Sequence, residues 1–589
     1  MAHSLAAAAG HNLERRTVVS VLLFPHQPYA TKPSRVLLFR RSDKVSTYRR
    51  KLAPIAGSVE TFDKSPLQAA WRELKEETSF GPGQIELWRR GAGFEFTDQK
   101  AVVTGEGEHR VKGRIWTVWP FAFRLTKETA DYDDDVEKLG LQMNFEHLGC
   151  QWQSVDDILS GKILDDCVPR LEVTLGQVWV DPDSVLYQGL EELRLDHSHG
   201  ARELATMAVK SLIRIVEHDQ QTKQQIDAAA WWKGFQRQAF HLAFNGRPSM
   251  AAAISNAVAA ALKEAKTHIE SSQPSPSPPP SQQDYLEKVK QSLEVSVAKR
   301  AELSQRVSYQ FSKFLQERFR SNTQKHADEG KTNWRIKILT LSSSSTIKAA
   351  ILHALDADET LSIELRILES RPLNEGVSFA QALTDEAQRR RRRETPGATA
   401  TTTTGLLPFD NRLRILLASD ASVGVLSRDN DHDNDGEDAV DLVVLGADRI
   451  SGVTGAVSNK TGSLAAALVA KAVTRGRAVV VCVSESEKIA VAPGMAEEDH
   501  AEEDNDPAEL TASWDLRPQG PEHEQGRSAL WKKMVTVRNV YFEWVPATHI
   551  DYYVCEDGTL SSTQEIRERS QRIRDVMDEV FTVEQEVGL

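Results

Sequence analysis

The feature that most constrains the fold is a regular alternation of short apolar runs with helical patterns after residue 335. The apolar runs fall at residues 336–340, 361–368, 413–417, 441–445, 478–483 and 550–554. Short apolar runs separated by helices are typical of parallel strands that are buried on both faces. The sequence therefore predicts a Rossmann-like, doubly wound parallel sheet for residues 330–589.

The first part of the chain has a different pattern, and 589 residues are too many for one hydrophobic core. Residues 1–190 mix predicted strands with a helix, which indicates a separate α/β domain; the strands are at residues 17–24, 35–39 and 114–125, and the helix is at 65–78. Residues 198–325 are helical in spacing and form a predicted helical subdomain. A proline- and serine-rich linker is predicted within it, at residues 271–283.

Polar insertions interrupt the C-terminal pattern. They lie at residues 389–404, 429–438 and 496–527, and they are rich in charged or threonine residues. Such segments cannot bury enough apolar surface to fold by themselves. We expect all three to be disordered excursions from the surface of the sheet.

Composition excludes several classes of protein. The four cysteines stand far apart without a paired motif, which argues against structural zinc and favours a reducing, cytoplasmic compartment. The longest apolar stretch near the start, residues 5–9, is too short for a signal peptide or a membrane span. A net charge of −13 gives no general attraction to DNA.

The first chemical pattern is a helix that carries three carboxylates. Ser65 and Pro66 predict the helix start, with Ser65 as the N-cap and Gln68 closing a capping box. Helical spacing then brings Glu73, Glu76 and Glu77 into one sector. Carboxylates this close repel each other, and a bound divalent cation would remove the repulsion.

The loop from Gly57 and the segment Arg-Glu-Leu-Lys-Glu-Glu at residues 72–77 resemble the Nudix box. This resemblance implies a Nudix α/β/α sandwich that hydrolyses a diphosphate compound with Mg²⁺ or Mn²⁺. The implied metal ligands are Glu73, Glu76 and Glu77, and the implied catalytic residues are Arg72, Glu73 and Glu77. The sequence departs from the family pattern in three ways. The spacing from Gly57 to Arg72 is one residue longer than in the family. Asp63 or Lys64 stands at the position of the family's first Glu, and Ser79 stands at the position of its closing Gly.

The second chemical pattern suits a phosphate. Asp448 follows an apolar run, at the edge of an open sheet where ligands bind. Asn459 and Lys460 precede an apolar helix, so a cation and backbone N–H groups meet at a helix start. Arg371 follows another predicted strand and could contact an anion through two N–H groups.

Together these segments resemble the family of the alpha, beta and delta subunits of initiation factor 2B, which also includes isomerases of methylthioribose 1-phosphate and ribose 1,5-bisphosphate. The resemblance runs from about residue 198 to 571, and its motifs begin at Arg247, Leu339, Glu369, Ser419, Gly446, Asn459, Val483 and Phe542. It implies a sugar-phosphate pocket formed by Ser342, Arg371, Asp420, Asp448, Asn459 and Lys460. The isomerases use a Cys and an Asp in acid–base roles. Asp448 matches the catalytic Asp, but Ser342 stands at the Cys position, and its hydroxyl is far less acidic than a thiol.

These patterns lead to one main hypothesis and two alternatives. The main hypothesis is a Mg²⁺-dependent Nudix hydrolase of a nucleoside-diphosphate-linked or similar compound, fused to a module that binds a phosphorylated sugar or nucleotide and forms a homodimer. The first alternative is a non-enzymatic regulatory subunit with a translation-factor partner and a degenerate Nudix domain. The second alternative is a sugar-phosphate isomerase.

Overall fold

The computed structural model describes most of the chain: residues 14–29, 34–103, 109–126, 139–196, 199–223, 225–271, 282–320, 333–394, 409–428, 439–491, 505–514, 534–581 and 584–585. The strands in these ranges are β1 (Glu14–Phe24), β2 (Arg35–Arg41), β3 (Leu52–Ala53), β4 (Ile55–Ser58), β5 (Ile85–Arg90), β6 (Phe94–Val103), β7 (His109–Leu125), β8 (His147–Ser154), β9 (Trp334–Leu341), β10 (Leu361–Leu368), β11 (Leu413–Ala418), β12 (Leu442–Leu445), β13 (Arg449–Ile450), β14 (Val457–Lys460), β15 (Val479–Val483), β16 (Phe542–Val545), β17 (Tyr552–Cys555), β18 (Gly558–Leu560) and β19 (Glu584–Gln585).

The helices in the described ranges are α1 (Pro66–Thr78), α2 (Val155–Leu159), α3 (Leu171–Gly176), α4 (Val185–Leu195), α5 (Ala201–Thr222), α6 (Ala228–Asn245), α7 (Ala251–Ser271), α8 (Gln282–Leu315), α9 (Ser345–Ala357), α10 (Glu375–Glu394), α11 (Phe409–Arg412), α12 (Val423–Ser427), α13 (Ser463–Val473), α14 (Pro507–Thr511) and α15 (Thr563–Val580). No helix within the described residues is both long enough and apolar enough to cross a bilayer.

The N-terminal domain is a mixed sheet between helices, which confirms the predicted α/β/α sandwich. Its strand order is β19–β6–β7–β1–β2–β3, with β4 on β1, β5 on β7 and β8 on β2. Strands β1 and β7 run parallel. Helix α1 contributes Leu67 and Leu74 to the core on one face, and helices α2 and α3 contribute Ile158 and Leu175 on the other.

The middle of the chain is a helical bundle, as the sequence predicts. Apolar residues of α5, α6, α7 and the start of α8 share one core, and the last helix, α15, packs into it through Met577 and Val580. Helix α4 also belongs to this core, because Leu186, Leu190 and Leu193 are buried there. The end of the predicted domain 1–190 therefore packs with the helical bundle.

The C-terminal sheet has the strand order β11–β10–β9–β12–β15–β17–β18. If the six parallel strands are numbered along the chain, their order across the sheet is 3-2-1-4-5-6. This is the Rossmann arrangement, and it confirms the predicted fold class. The strand order reverses between β9 and β12, so a crevice opens at the carboxyl ends of these two strands.

The predicted insertions are only partly described. Helix α10 continues through Glu394, so the interpretation of residues 389–394 as disordered is wrong: they extend an amphipathic helix whose Arg390 pairs with Asp356. Residues 507–511 form α14, inside the predicted insertion 496–527. The insertion 429–438 and residues 272–281 of the linker lie outside the described residues.

Candidate functional sites

The carboxylate helix α1 begins as its sequence predicts. Ser65 is the N-cap, and its Oγ accepts a hydrogen bond from the N–H of Gln68 at 3.2 Å. The Gln68 amide oxygen accepts from the N–H of Lys64 at 2.6 Å, one residue earlier than a capping box would have it. The helix ends at Thr78, and the C-cap residue Ser79 has a φ of 64°, a left-handed conformation that favours the glycine of the family pattern.

Gly57 and Glu73 are in close contact. Strand β4 pairs Gly57 with Val19 of β1. A Cβ atom at position 57 would lie 1.9 Å from the Glu73 Cδ atom, so only a glycine leaves room for this carboxylate. The glycine of the motif therefore sets where the Glu73 carboxylate lies.

Arg72 fixes the orientation of Glu73. Its Nη1 donates to Glu73 Oε1 at 2.6 Å, and its Nη2 donates to Asp63 Oδ2 at 2.9 Å. The side chain of Asp63 is only 1% exposed, and the Arg72 guanidinium lowers its pKa. Asp63 therefore holds Arg72 in place. This contact explains how the loop tolerates Asp63 where the family pattern has its first Glu.

The other two carboxylates of α1 have different surroundings. Glu76 is exposed, and its Oε2 lies 3.6 Å from Arg72 Nη1. Glu77 is buried and forms a hydrogen bond with His147 Nε2, at the start of β8. Helical spacing predicts Glu77 on one acidic face with Glu76, and it gives no signal for His147, which is 70 residues away along the chain.

The three carboxylates interact electrostatically. Burial raises the pKa of Glu73, Arg72 opposes this effect, and the charges of Glu77 and Glu76 raise the pKa further. Burial likewise raises the pKa of Glu77, and the hydrogen bond with His147 opposes it. Oxygen donors that repel each other fit a hard divalent cation. In the ranges that the structure describes, no three His, Cys, Asp or Glu side chains are grouped closely enough to hold an ion.

The second candidate site lies at the strand-order reversal of the C-terminal sheet. Ser342 follows β9 directly, and Asp448 follows β12. Ser342, Ser370 and Asn374 all have positive φ values, of 62°, 60° and 55°. Backbone in this conformation costs free energy and persists only where the surrounding fold holds it in place. Such residues are often found at ligand sites.

Glu375, which the sequence reasoning did not select, joins two predicted pocket residues. Its Oε2 accepts a hydrogen bond from Ser342 Oγ at 2.8 Å and lies 3.1 Å from Lys460 Nζ. The side chain of Lys460 is 6% exposed, and its Nζ lies 3.9 Å from the centre of the Tyr541 ring. The Lys460 charge is therefore already paired within the protein.

Asp420 and Arg371 also have protein partners. The Asp420 carboxylate accepts from the backbone N–H groups of Ser370 and Arg371, both at 2.8 Å. The Arg371 guanidinium donates to Ser513 Oγ, beyond the end of α14. Asp420 thus holds the loop that carries Arg371.

The helix start that was predicted to receive a phosphate already binds a carboxylate. Glu543 of β16 accepts from the N–H groups of Gly462 and Leu464, at 2.7 and 2.9 Å. These N–H groups are therefore not open to a phosphate as the sequence analysis expected, because β16 pairs with β14 and carries Glu543 to the start of α13. Asn459 donates to Ser463 Oγ at 2.8 Å instead of facing open solvent.

Asp448 has a cationic neighbour that the sequence reasoning missed. Lys488 is buried and donates to the Ala447 carbonyl at 2.7 Å. Burial alone would lower the pKa of Lys488, but the charges of Glu485 and Asp448 raise it above its usual value. Lys488 is therefore positively charged next to Asp448. Glu375, Glu543 and Lys488 all lie within motifs that the sequence identified, but their contacts are long-range.

Two family models match the chain. The model described as the NUDIX domain matches residues 14–170, and the model described as the Initiation factor 2 subunit family matches residues 430–562. The fold and its two sites thus define a two-module α/β protein. The chain carries a NUDIX domain at residues 14–170 and, behind it, an Initiation factor 2 subunit family domain at residues 430–562, as the sequence predicted.

Solved structures resemble most of the chain. A translation initiation factor eIF-2B from Pyrococcus horikoshii OT3 is 18% identical, covering 65% of this chain and 98% of its own, with a TM-score of 0.39. A 5-methylthioribose 1-phosphate isomerase from the same organism is 16% identical, covering 66% and 88%, with a TM-score of 0.40. A chain of the tetrameric eIF2B-beta2-delta2 complex from C. thermophilum is 11% identical, covering 66% and 96%, with a TM-score of 0.39. No curated protein matches the chain.

Proposed function

We propose that the N-terminal domain hydrolyses a diphosphate compound with the help of a divalent cation, Mg²⁺ or Mn²⁺. The observation that carries this proposal is the Glu73 carboxylate, which lies against Gly57 and is held by Arg72. Arg72 is itself held by Asp63. Residues arranged in this way keep a carboxylate oriented before the substrate arrives, which is what acid–base and metal chemistry require.

Glu73, Glu76 and Glu77 would hold the cation. The bound ion would neutralise charge on the diphosphate and make a water molecule more acidic. Glu76 is exposed and free of the core, so it can turn toward Glu73 without disturbing packing. To bind the cation, Glu77 would have to give up its hydrogen bond with His147, or keep this bond and bind the cation at the same time.

The first test is cleavage of a panel of nucleoside diphosphate-linked compounds by the full chain, followed as release of the nucleoside monophosphate. We expect release with Mg²⁺ or Mn²⁺ and none after a chelator has removed the ion. Glu302→Gln, on the exposed face of α8, should behave as wild type and serves as the control for loss of one carboxylate. Metal binding without release from any compound would favour the non-enzymatic regulatory subunit.

Metal binding should depend on pH in a defined direction. The pKa values of Glu73 and Glu77 are raised, which means that ionising these two side chains in the folded protein costs free energy. A bound cation offsets this cost. We expect Mg²⁺ to raise the melting temperature at pH 8 and to raise it less as the pH falls through these raised pKa values. Differential scanning calorimetry at several pH values measures this, and a shift that grows at low pH would contradict the assignment.

For the C-terminal module we propose binding of a phosphorylated sugar or nucleotide in the crevice between β9 and β12. Ser342 and Lys460 both contact Glu375 at the end of β9, and Asp448 follows the neighbouring strand β12, which supports the proposal. Ser342 Oγ donates a hydrogen bond to Glu375, and its hydroxyl is far less acidic than a thiol, so it is poorly suited to exchange a proton with a substrate carbon. Binding without isomerisation is therefore the favoured activity. Self-association of this module stays a prediction. The surface that would serve it is on helices α12 and α13, which contact each other and expose the apolar side chains of Val425 and Leu468.

Glu375 limits phosphate binding in this proposal because it competes for Lys460. Removing its charge in Glu375→Gln should raise the affinity for ribose 1,5-bisphosphate about tenfold, since one ion pair no longer has to be broken. Asp385→Asn, exposed on the same helix α10, removes a charge without touching Lys460 and should leave the affinity unchanged. Isothermal titration calorimetry measures both. A loss of affinity in Glu375→Gln would instead mean that Glu375 positions Lys460 for the ligand.

A further inference from the structure

A cavity of about 280 Å³ lies where the NUDIX domain meets the helical bundle and the last helix. Both modules contribute to its wall. The NUDIX side comes from the start of α1, the end of β5 and the middle of β7. The opposite side comes from α6, α7 and α15. Ala252 of α7 lies in this wall.

Aromatic rings dominate the cavity wall. Phe240, Phe244 and Phe581 form a cluster with ring centroids 4.7 to 5.7 Å apart, and two of the three ring pairs are edge-to-face. Trp119 and Phe121 of β7 contribute rings from the NUDIX side. A flat aromatic ligand can pack edge-to-face or offset against such rings, which is the geometry that aromatic pairs prefer.

Charged groups give the cavity a polarity. Arg90 and Arg574 line it together with one carboxylate, Asp578, so the lining carries one net positive charge. The backbone of Arg90 is fixed to the helical bundle, because its N–H donates to Asn245 Oδ1 and its carbonyl accepts from Asn245 Nδ2, both at 2.8 Å. A net positive lining in a mostly apolar cavity favours an anionic group on the ligand.

We propose that this cavity is a binding site for a small, flat aromatic ligand that carries an anionic group, contacted by both modules. The site adjoins the carboxylate helix. Pro66 and Glu73 are seven residues apart on α1, which puts them on the same face of the helix and about 10 Å apart along its axis. A ligand in the cavity would therefore stabilise the junction, and it would lie on the same face of α1 as the proposed cation, about 10 Å along the helix axis.

The first experiment uses the fluorescent anion 1-anilinonaphthalene-8-sulfonate with the full chain. We expect saturable binding that Ala252→Leu weakens at least about tenfold, because the larger side chain fills the cavity. Ala229→Leu, at an exposed position of helix α6 outside the cavity wall, is the matched control and should leave binding unchanged. Dye binding that is equal in wild type and Ala252→Leu, with both variants folded by circular dichroism, would overturn the proposal.

The second experiment tests the preference for an anion and does not depend on the folding of Ala252→Leu. We expect the sulfonate to bind more tightly than the neutral N-phenyl-1-naphthylamine. Replacing the half-buried Arg574 by Gln should weaken the sulfonate up to about fivefold and leave the neutral dye unaffected. Added salt should weaken only the sulfonate. Equal affinities for the two dyes, unchanged in Arg574→Gln, would show a purely apolar void and refute the assigned ligand class.

Discussion

Gly57→Ala is expected to lower the rate of diphosphate hydrolysis about 100-fold, since an ångström of displacement at a catalytic group can cost that much. The added methyl group would lie 1.9 Å from the Glu73 Cδ atom. The clash involves the far end of a flexible side chain, so Glu73 can move aside while the backbone stays in place. We therefore expect a large loss of activity with little loss of stability. Steady-state kinetics and thermal unfolding of the same preparation measure the two effects.

Gly149→Ala is the matched control for this substitution. Gly149 lies on β8 of the same sheet, and a Cβ atom there would meet nothing within 4 Å. Its hydrolysis rate should equal that of wild type. If Gly57→Ala kept full activity, Glu73 would not be acting from the position it holds against Gly57. If the domain unfolded, the glycine would serve the fold and not the orientation of the carboxylate.

Arg300→Met is expected to destabilise the C-terminal module by about 3 to 5 kcal/mol, the usual cost of leaving a buried charge without its partner. Arg300 of α8 forms two hydrogen bonds with Glu487, at 2.5 and 2.9 Å. The Arg300 side chain is 7% exposed and that of Glu487 is 11% exposed. This ion pair joins the helical bundle to the end of the parallel sheet, so its loss should loosen that junction. Urea unfolding followed by circular dichroism measures the change.

The pH dependence of this variant has a definite sign. Burial already raises the pKa of Glu487, and Arg300 opposes that rise. Without Arg300, the folded state should hold a proton on Glu487 to a higher pH than the unfolded state does. The destabilisation should therefore be largest above the raised pKa and shrink as the pH falls through it. A constant difference between pH 5 and pH 8 would contradict this explanation.

Lys299→Met provides the control, because Lys299 makes a surface pair with Glu264 in which both side chains are well exposed. Exposed pairs of this kind contribute about 0 to 1 kcal/mol. The double variant Arg300→Met with Glu487→Leu should recover part of the lost stability, since no buried charge is left unpaired. Wild-type stability in Arg300→Met would mean that water reaches Glu487.

The sequence by itself determined the elements and their order. The six apolar runs became the six parallel strands, because a buried parallel strand needs apolar side chains on both faces. The start of α1 followed from Ser65 and Pro66, because helix capping depends on residues within one turn. The Nudix and initiation-factor motifs could be recognised for the same reason: each is a short, continuous segment. The extent of α10 was misjudged, since a run of arginines is polar in composition and still extends a helix that has an apolar face.

Only the tertiary structure decided how the charged groups pair. Glu77 meets His147, Glu375 meets Lys460, and Glu543 reaches the start of α13; these partners are 70 or more residues apart in the chain. Local periodicity carries no information about such contacts, because they depend on which strands and loops the sheet brings together. The cavity between the modules is a result of the same kind, since Trp119 and Phe244 line one cavity only after the two modules have packed. Local chemistry thus sets the elements of this chain, and long-range packing sets the protonation and availability of its site residues.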